Sequence, residues 1–452
     1  MLRFLLIAGC YTCFSGKKRR ELIKKLLQNG GTVYVKLGQS LSLKPYLIGA
    51  ELANCLQTLQ EQAFDGGSAK NIPQLSFASL PHLVSSGSVA NVYKARLIEE
   101  EAADNNKGEK VSSEDSEKAA EVWGDEIAIK IVKTYLFKKT KRDLKNLEHF
   151  CKFLHLFKKF HALDLPSIAQ NISKITLGEF DMDRELANNF LLKQNIIFWG
   201  DDLAEQGAYR AGLPAVYKKY STNNILVQKW VEGHSLNEIV VQNLLSKAER
   251  ERLAKGIILI YLNQVYNDGV FHADMHLGNI MFCPAEEKVY LIDCGNVSQI
   301  SQCDRLAVAK ILYFFLKKNF QKAAEQYIKA GYVSASVNMD EFSAELEKLA
   351  QKTFEGGRGA VSGILGKIIE ITQKFELKTQ PQLLMLQKTI LYVESCVYAL
   401  CPNFDIWQVI KPWMKHWAFK NSPLKAKVVA VLQKLENGRG LFDKIYDNLF
   451  KF

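Results

Sequence analysis

Phe271-His272-Ala273-Asp274-Met275-His276-Leu277-Gly278-Asn279, followed by Val289-Tyr290-Leu291-Ile292-Asp293-Cys294-Gly295, is the stretch that decides how this chain is read. Asn279 stands five positions after Asp274, and an apolar run then delivers Asp293, with Gly295 just behind it for a sharp turn. The set combines an Asp that can orient an attacking oxygen, an amide carbonyl and a second carboxylate. Such hard oxygen ligands suit Mg²⁺. Phosphoryl transfer calls for this combination, because its catalysis is positioning plus neutralisation of charge. The Asp–Asn spacing carries little weight alone. Joined to His272, to the helix before it and to the strand leading into Asp293, it becomes a specific signal.

The preceding helix is read from Leu253, Ile257, Ile258, Tyr261, Leu262 and Val265, which share one face and stop at Asp268-Gly269. Further upstream, Ile127-Ala128-Ile129-Lys130-Ile131 is an apolar strand carrying one long cation, the pattern of the kinase lysine that holds the phosphates. Between these two regions, Glu179, Asp181 and Glu185 read as one helical stretch running to Asn188, with Glu185 the candidate partner of Lys130. Val84 to Ala95 occupies the place of a phosphate-covering loop, with Gly87 where ordinary kinases have several glycines. Ser86, Gly87, Ser88 and Val92 are its nucleotide-facing candidates.

Around these motifs the texture changes along the chain. Glu21 to Phe64 reads as helical, with Leu52, Cys55, Leu56, Leu59 and Ala63 on one face. From 75 to 230, short runs such as Val92-Tyr93, Ile127–Ile129 and Ile225–Val227 predict a small mixed sheet with one added helix near Glu185–Lys193. Glu99 to Glu126 holds eleven acids and three lysines and is too polar to order itself. Beyond Leu236 the chain is mainly helical. Its run from Leu383 to Leu400 contains Gln387, Lys388 and Glu394, which reads as a buried core helix, not a membrane span. The expected boundaries are 1–20 (apolar and basic), 21–74 (helical extension), 75–230 (small lobe with the acidic insertion 99–126), 231–420 (helical lobe) and 421–452 (helical tail).

The chain of 452 residues carries 59 basic and 48 acidic side chains, a formal charge of +11. With the insertion at −8, the remainder is near +19, which favours nucleotide or anionic lipid as a partner. No nucleic-acid-binding motif accompanies the charge, so nucleic acid is not expected. Nine scattered cysteines read as free thiols in a reducing compartment, Cys10-x-x-Cys13 being a lone pair. The apolar tip Met1–Phe14, with Lys17-Lys18-Arg19-Arg20 behind it, is too short to span a bilayer. It fits an interfacial anchor or a first helix docked on the domain.

With these residues in place the chain resembles the UbiB/AarF (ADCK-type) family of atypical kinases. Lys36-Leu37-Gly38-Gln39 is similar to the family's K-x-G-Q signature, Ser85 to Val92 to its alanine-rich loop, and Glu179-x-Asp181-x-x-x-Glu185-x-x-Asn188 to its acidic motif. Val231-Glu232-Gly233, His272 to Asn279, Asn403 to Trp407 and Lys411-Pro412-Trp413 follow in family order. The resemblance covers about 28 to 415. It implies an α+β, protein-kinase-like two-lobed fold with a small sheet lobe, a helical lobe and an N-terminal extension over the cleft. Lys36, Gln39, Glu179 and Asp181 would lie near the nucleotide, ATP or ADP with Mg²⁺. Asn279 and Asp293 would hold the metal, Lys130 with Glu185 the phosphates, and Asp274 the attacking oxygen. The implied role is an ATPase or small-molecule phosphotransferase supporting ubiquinone biosynthesis or lipid handling. Isoprenoid quinone precursors and quinone-biosynthesis proteins would be its partners. Its setting would be peripheral, at the cytoplasmic face of a bacterial inner membrane or in a mitochondrion.

Several residues depart from the family pattern. Ser85, Ser86 and Gly87 replace alanines, Met275 and Leu277 replace two prolines, and Cys294 replaces a Phe. The altered phosphate loop keeps a protein kinase open as an alternative. A nucleotide-binding scaffold without turnover is the other.

Overall fold

The computed structural model describes residues 16–42, 50–56, 81–87, 89–98, 123–156, 165–354 and 381–420. Internal contacts divide the chain into two units. The first is Met1–Phe190, Leu213–Glu232 and Asp293–Asn296; the second is Leu191–Gly212, Gly233–Ile292 and Val297–Phe452.

In the first unit the apolar face expected from Glu21 onward forms as three helices, α1 (Gly16–Gln28), α2 (Thr32–Ser42) and α3 (Ala50–Leu56). Leu59 and Ala63 lie outside the described residues. A three-stranded meander follows, β1 (His82–Ser86), β2 (Ala90–Ile98) and β3 (Trp123–Val132), then α4 (Thr134–His155), α5 (Leu165–Gly178) and α6 (Met182–Ile196). The strand β4 (Arg210–Gly212) belongs to the second unit, and β5 (Ile225–Lys229) returns to the first. The order β1-β2-β3-β5 is antiparallel throughout. The mixed pairing expected for this sheet occurs instead in the second unit.

Two apolar cores hold the first unit. Ile23, Leu27, Val33, Tyr34, Leu52 and Leu56 of the extension pack with Leu144, Leu147, Phe150, Ala169 and Ile172. The extension thus has its own seat on α4 and α5, two helices absent from the sequence reading. α4 is rich in lysine and buries an apolar stripe at 144, 147, 150 and 151, the spacing of one helical face. The second core lies on the sheet, where Ile127 and Ile129 are fully buried beside Tyr93, Leu97 and Val227. Burial of each such side chain contributes about 1.5–3 kcal/mol.

The acidic insertion expected at 99–126 ends earlier than its composition suggests. Residues 99–122 lie outside the description, but Trp123–Glu126 open β3, with Glu126 opposite Arg96. Lys94 pairs with Glu126 at 2.8 Å and Arg96 with it at 3.1 Å. The Lys94 hydrogen bond, foremost, holds the Glu126 carboxyl down at about 2. Two cross-strand cations therefore recruit this acid to the ladder.

The second unit continues with β6 (His234–Ser235), α7 (Leu236–Gln242) and α8 (Lys247–Leu262). α8 starts at a Ser246/Glu249 capping box and passes into one π turn, Asn263–Asp268, ended by Gly269 at φ +72°. The short strands β7 (Val270–His272), β8 (Ile280–Cys283), β9 (Lys288–Leu291) and β10 (Val297–Gln299) follow. The sheet order β4-β9-β8-β6 has one parallel pair, β4 with β9, and β10 pairs with β7. Gly233 allows β6 to approach β8, since a Cβ there would stand 2.3 Å from the Phe282 carbonyl oxygen. The rest is helical: α9 (Gln302–Leu316), α10 (Phe320–Lys329), α11 (Met339–Phe354), α12 (Pro381–Leu400) and α13 (Trp407–Lys420). α12 is the expected core helix, with Ile390, Val393, Cys396 and Val397 buried. Among the described residues no helix is long and apolar enough to cross a membrane. Residues 421–452 lie outside the description.

Asp268 gives this unit a pH signature. Burial pushes its carboxyl up to about 6, against the Trp199 indole N–H that donates to it at 3.0 Å. With its folded value above the unfolded one, the native state binds more protons between about pH 4 and 6, so stability falls as pH rises through that window. Asp268→Asn should flatten this slope in thermal melts from pH 4 to 7; an unchanged slope would contradict the assignment.

Candidate nucleotide site

Period-two alternation along β3 sends Ile127, Ile129 and Ile131 to one face and Ala128, Lys130 and Val132 to the other. Val132 packs with Phe180 and Met182, so Lys130 faces the start of α6. There its ammonium donates to both Glu185 carboxylate oxygens, at 3.0 and 2.8 Å, and to Asp293 Oδ1 at 2.9 Å. Three separate segments of the first unit thus meet on one nitrogen. Glu185 is 3% exposed and Asp293 46% exposed. Burial works against the Lys130 ammonium, but the charges of Asp293 and Glu185 outweigh it and hold the lysine above its usual range. Burial also pushes the Glu185 carboxyl up to about 7, with Asp293 adding to the rise and Lys130 opposing it.

The turn that carries Asp293 is held from α6. Asn188 Nδ2 donates to the Cys294 carbonyl at 2.8 Å, and Asn189 reaches the Cys294 sulfur at 3.9 Å. Cys294, where the resemblance expects Phe, is buried, and that burial raises its thiol pKa. Asp293 takes φ +60°, and Gly295 N–H donates back to its Oδ1 at 3.4 Å.

Other sequence candidates separate into those near Lys130 and those that are not. Val92 lies opposite Lys130 in the β2–β3 ladder. Ser86 and Gly87 are engaged elsewhere, because buried Lys133 donates to Ser86 Oγ at 2.9 Å and to the Gly87 carbonyl at 2.7 Å. Lys133, three residues after Lys130, belongs to no motif in the sequence, and only the fold brings it to this turn. Ser88 lies outside the described residues, as does the Gln39 side chain on α2. Glu179 and Asp181 precede α6 and are not part of it. Asp181 Oδ1 accepts the Arg184 N–H at 3.0 Å, a helix cap, while Glu179 in the turn pairs with Lys36 of α2.

In the second unit, His272 organises the loop that carries Asp274 and Asn279. Its Nε2 lies 3.2 Å from the Ile292 carbonyl, and its Nδ1 accepts the Asp274 N–H at 3.2 Å. Only the neutral ring protonated at Nε2 satisfies both bonds. Asn279 Nδ2 donates to the Asp274 carbonyl at 3.1 Å, which leaves its Oδ1 as the hard donor the amide can offer. At the end of the β8–β9 hairpin the Ile292 N–H donates to the Asn279 carbonyl at 2.9 Å, tying the loop to the residue before Asp293. Lys388 of α12 reaches Asp274 Oδ1 at 3.3 Å, a contact the sequence reading did not anticipate. Its signal is that Lys388 is the one basic residue in the largely apolar run from Leu383 to Leu400.

These features define a protein-kinase-like α+β fold. An ABC1 atypical kinase-like domain matches residues 118–327 and a UbiB helical domain residues 360–405. Curated relatives described as "Probable protein kinase UbiB" come from Enterobacter sp. (strain 638), Providencia stuartii and Photobacterium profundum. They are 27, 26 and 27% identical over 95, 93 and 96% of this chain and 77, 74 and 77% of their own lengths. Among solved structures, the erythromycin complex of Rv3197 from Mycobacterium tuberculosis is similar at a TM-score of 0.50 and 17% identity. That match covers 72% of this chain and 74% of the other. The chain belongs to the UbiB/ABC1 family of atypical kinase-like proteins.

Proposed function

We propose that the protein is a Mg²⁺-dependent ATPase or phosphotransferase of the UbiB type, supporting ubiquinone or related isoprenoid quinone biosynthesis, or lipid handling, at a membrane surface. The observation that carries this reading is Lys130 bonded at once to Glu185 and Asp293. An ammonium fixed by a buried carboxylate is a positioned ligand for nucleotide phosphates. Asn279 and Asp293 would hold Mg²⁺, and their amide and carboxylate oxygens fit its preference for hard donors. When bound, Mg²⁺ neutralises charge on the phosphate oxygens. Asp274, kept in place by His272 and Asn279, would orient the attacking oxygen and take its proton. ATP is the favoured nucleotide, with ADP as the alternative. Peripheral association at a bacterial inner membrane is the setting that the relatives' origin and the basic charge favour, with a mitochondrion as the alternative.

Asp293→Asn should weaken Mg²⁺-dependent nucleotide binding at least ~10-fold, in line with loss of a charged metal ligand. Undiminished Mg²⁺-dependent affinity in a titration would overturn the metal assignment. Protein phosphorylation is the second reading, favoured by the relatives' name. Against it stands the Lys36–Glu179 pair, which anchors the K-x-G-Q helix in the first unit. Labelled ATP offered with generic protein acceptors separates the two readings.

A further inference from the structure

α12 grips the catalytic loop along a single stripe. Lys388, Tyr392 and Cys396 recur every four residues and so share one face through successive turns. Lys388 Nζ stands 3.3 Å from Asp274 Oδ1. The Tyr392 ring meets His276 edge-on at 6.2 Å, and the Cys396 thiol donates to the Met275 carbonyl at 3.4 Å. Asp274, Met275 and His276, consecutive in the loop, are thus each met from one helix more than a hundred residues later in the chain.

The loop supplies no permanent cation of its own. Val270 to Asn279 contains neither Lys nor Arg, and Ala273 stands where the H-R-D pattern of protein kinases places arginine. Phosphoryl transfer nevertheless develops negative charge that a positioned cation must meet. Lys388 is the cation bonded to Asp274, and its side chain is 24% exposed, so it is neither sealed in the core nor free in solvent. Its ammonium lies 5.2 Å from the centre of the Tyr392 ring, whose face further confines it.

We propose that Lys388 is a catalytic cation of the phosphoryl-transfer step, supplied to the loop by the helical region that follows the kinase-like domain. The assignment rests on Asp274 acting as proposed above. In the step, the acceptor oxygen bonds to the γ-phosphorus and its proton passes to Asp274. The bond from that phosphorus to the bridging oxygen breaks, and its electron pair leaves with ADP. Lys388 lies beside Asp274 on this path, orienting the carboxylate and neutralising the transferred group. Lysine and arginine can both do this; an apolar side chain cannot.

The test compares full-length Lys388→Met, Lys388→Arg and Asp274→Asn for Mg·ATP affinity, ATP turnover and thermal melting. Lys388→Met is expected to keep the parent's affinity and melting profile and to lose turnover ~10²-fold, the scale of a deleted charge-stabilising group. Lys388→Arg should recover most of that loss. Parental turnover in Lys388→Met beside an inactive Asp274→Asn would overturn the assignment. So would parallel loss of folding, affinity and turnover in both Lys388 variants, which would make Lys388 a structural brace. Parental turnover in Asp274→Asn would instead overturn the phosphotransferase reading itself, and this assignment with it.

Discussion

Lys130→Met should abolish useful turnover and, separately, destabilise the first unit. The ammonium it removes is bonded to Glu185 at 2.8 Å and to Asp293 at 2.9 Å. Loss of a positioned cation at the phosphates lowers turnover by roughly 10²–10³-fold. Glu185, 3% exposed, is then left as a buried carboxyl without its counter-charge, at a cost of about 3–5 kcal/mol. The double variant Lys130→Met/Glu185→Leu separates the two effects. Replacing both members of a buried pair with apolar side chains is often neutral or stabilising, so its melting should return towards the parent while turnover stays lost. A double variant as unstable as the single one would show that Glu185 is not the source of the instability. Recovered turnover would show that Lys130 does not hold phosphate.

Phe271→Ala should be the most damaging core substitution beside the loop that carries Asp274 and Asn279. Phe271 is fully buried in β7, one residue before His272. Truncation of a buried Phe costs about 3–5 kcal/mol. In a unit of this size that lowers the melting temperature by roughly 10 °C. Phe271→Leu keeps most of the volume and should cost far less. A melting curve for Phe271→Ala that overlays the parent's would exclude β7 from the core.

Much of the candidate site was legible because its residues sit in patterns whose spacing is the chemistry. The alternation in Ile127–Ile131 already points Lys130 away from the apolar face, and the run into Asp293 already marks a strand. The expected stop at Asp268-Gly269 is the end of the π turn. Other features were hidden for physical reasons. α4 and α5 bury apolar stripes against the N-terminal extension, a tertiary contact that the sequence does not announce. Asp181 looked like a helical carboxylate of the site but caps α6, and local capping leaves the same residue types as ligand binding does. The Lys133 bonds to Ser86 and Gly87 depend on how the β1–β2 hairpin closes, and Lys388 meets Asp274 through tertiary packing across 114 positions. Neither leaves a spacing to read.

The backbone at Asp293 sets which replacements there can be interpreted. At φ +60° an L-residue pays a steric penalty that Asn and Asp tolerate best, and a β-branched side chain would fit worst. Alanine scanning at this position would therefore mix a conformational change in with the missing oxygen. The amide isostere keeps the kinked geometry and alters only charge. Natural variation at this position should be confined to residues at ease in left-handed torsion space, whatever becomes of the chemistry.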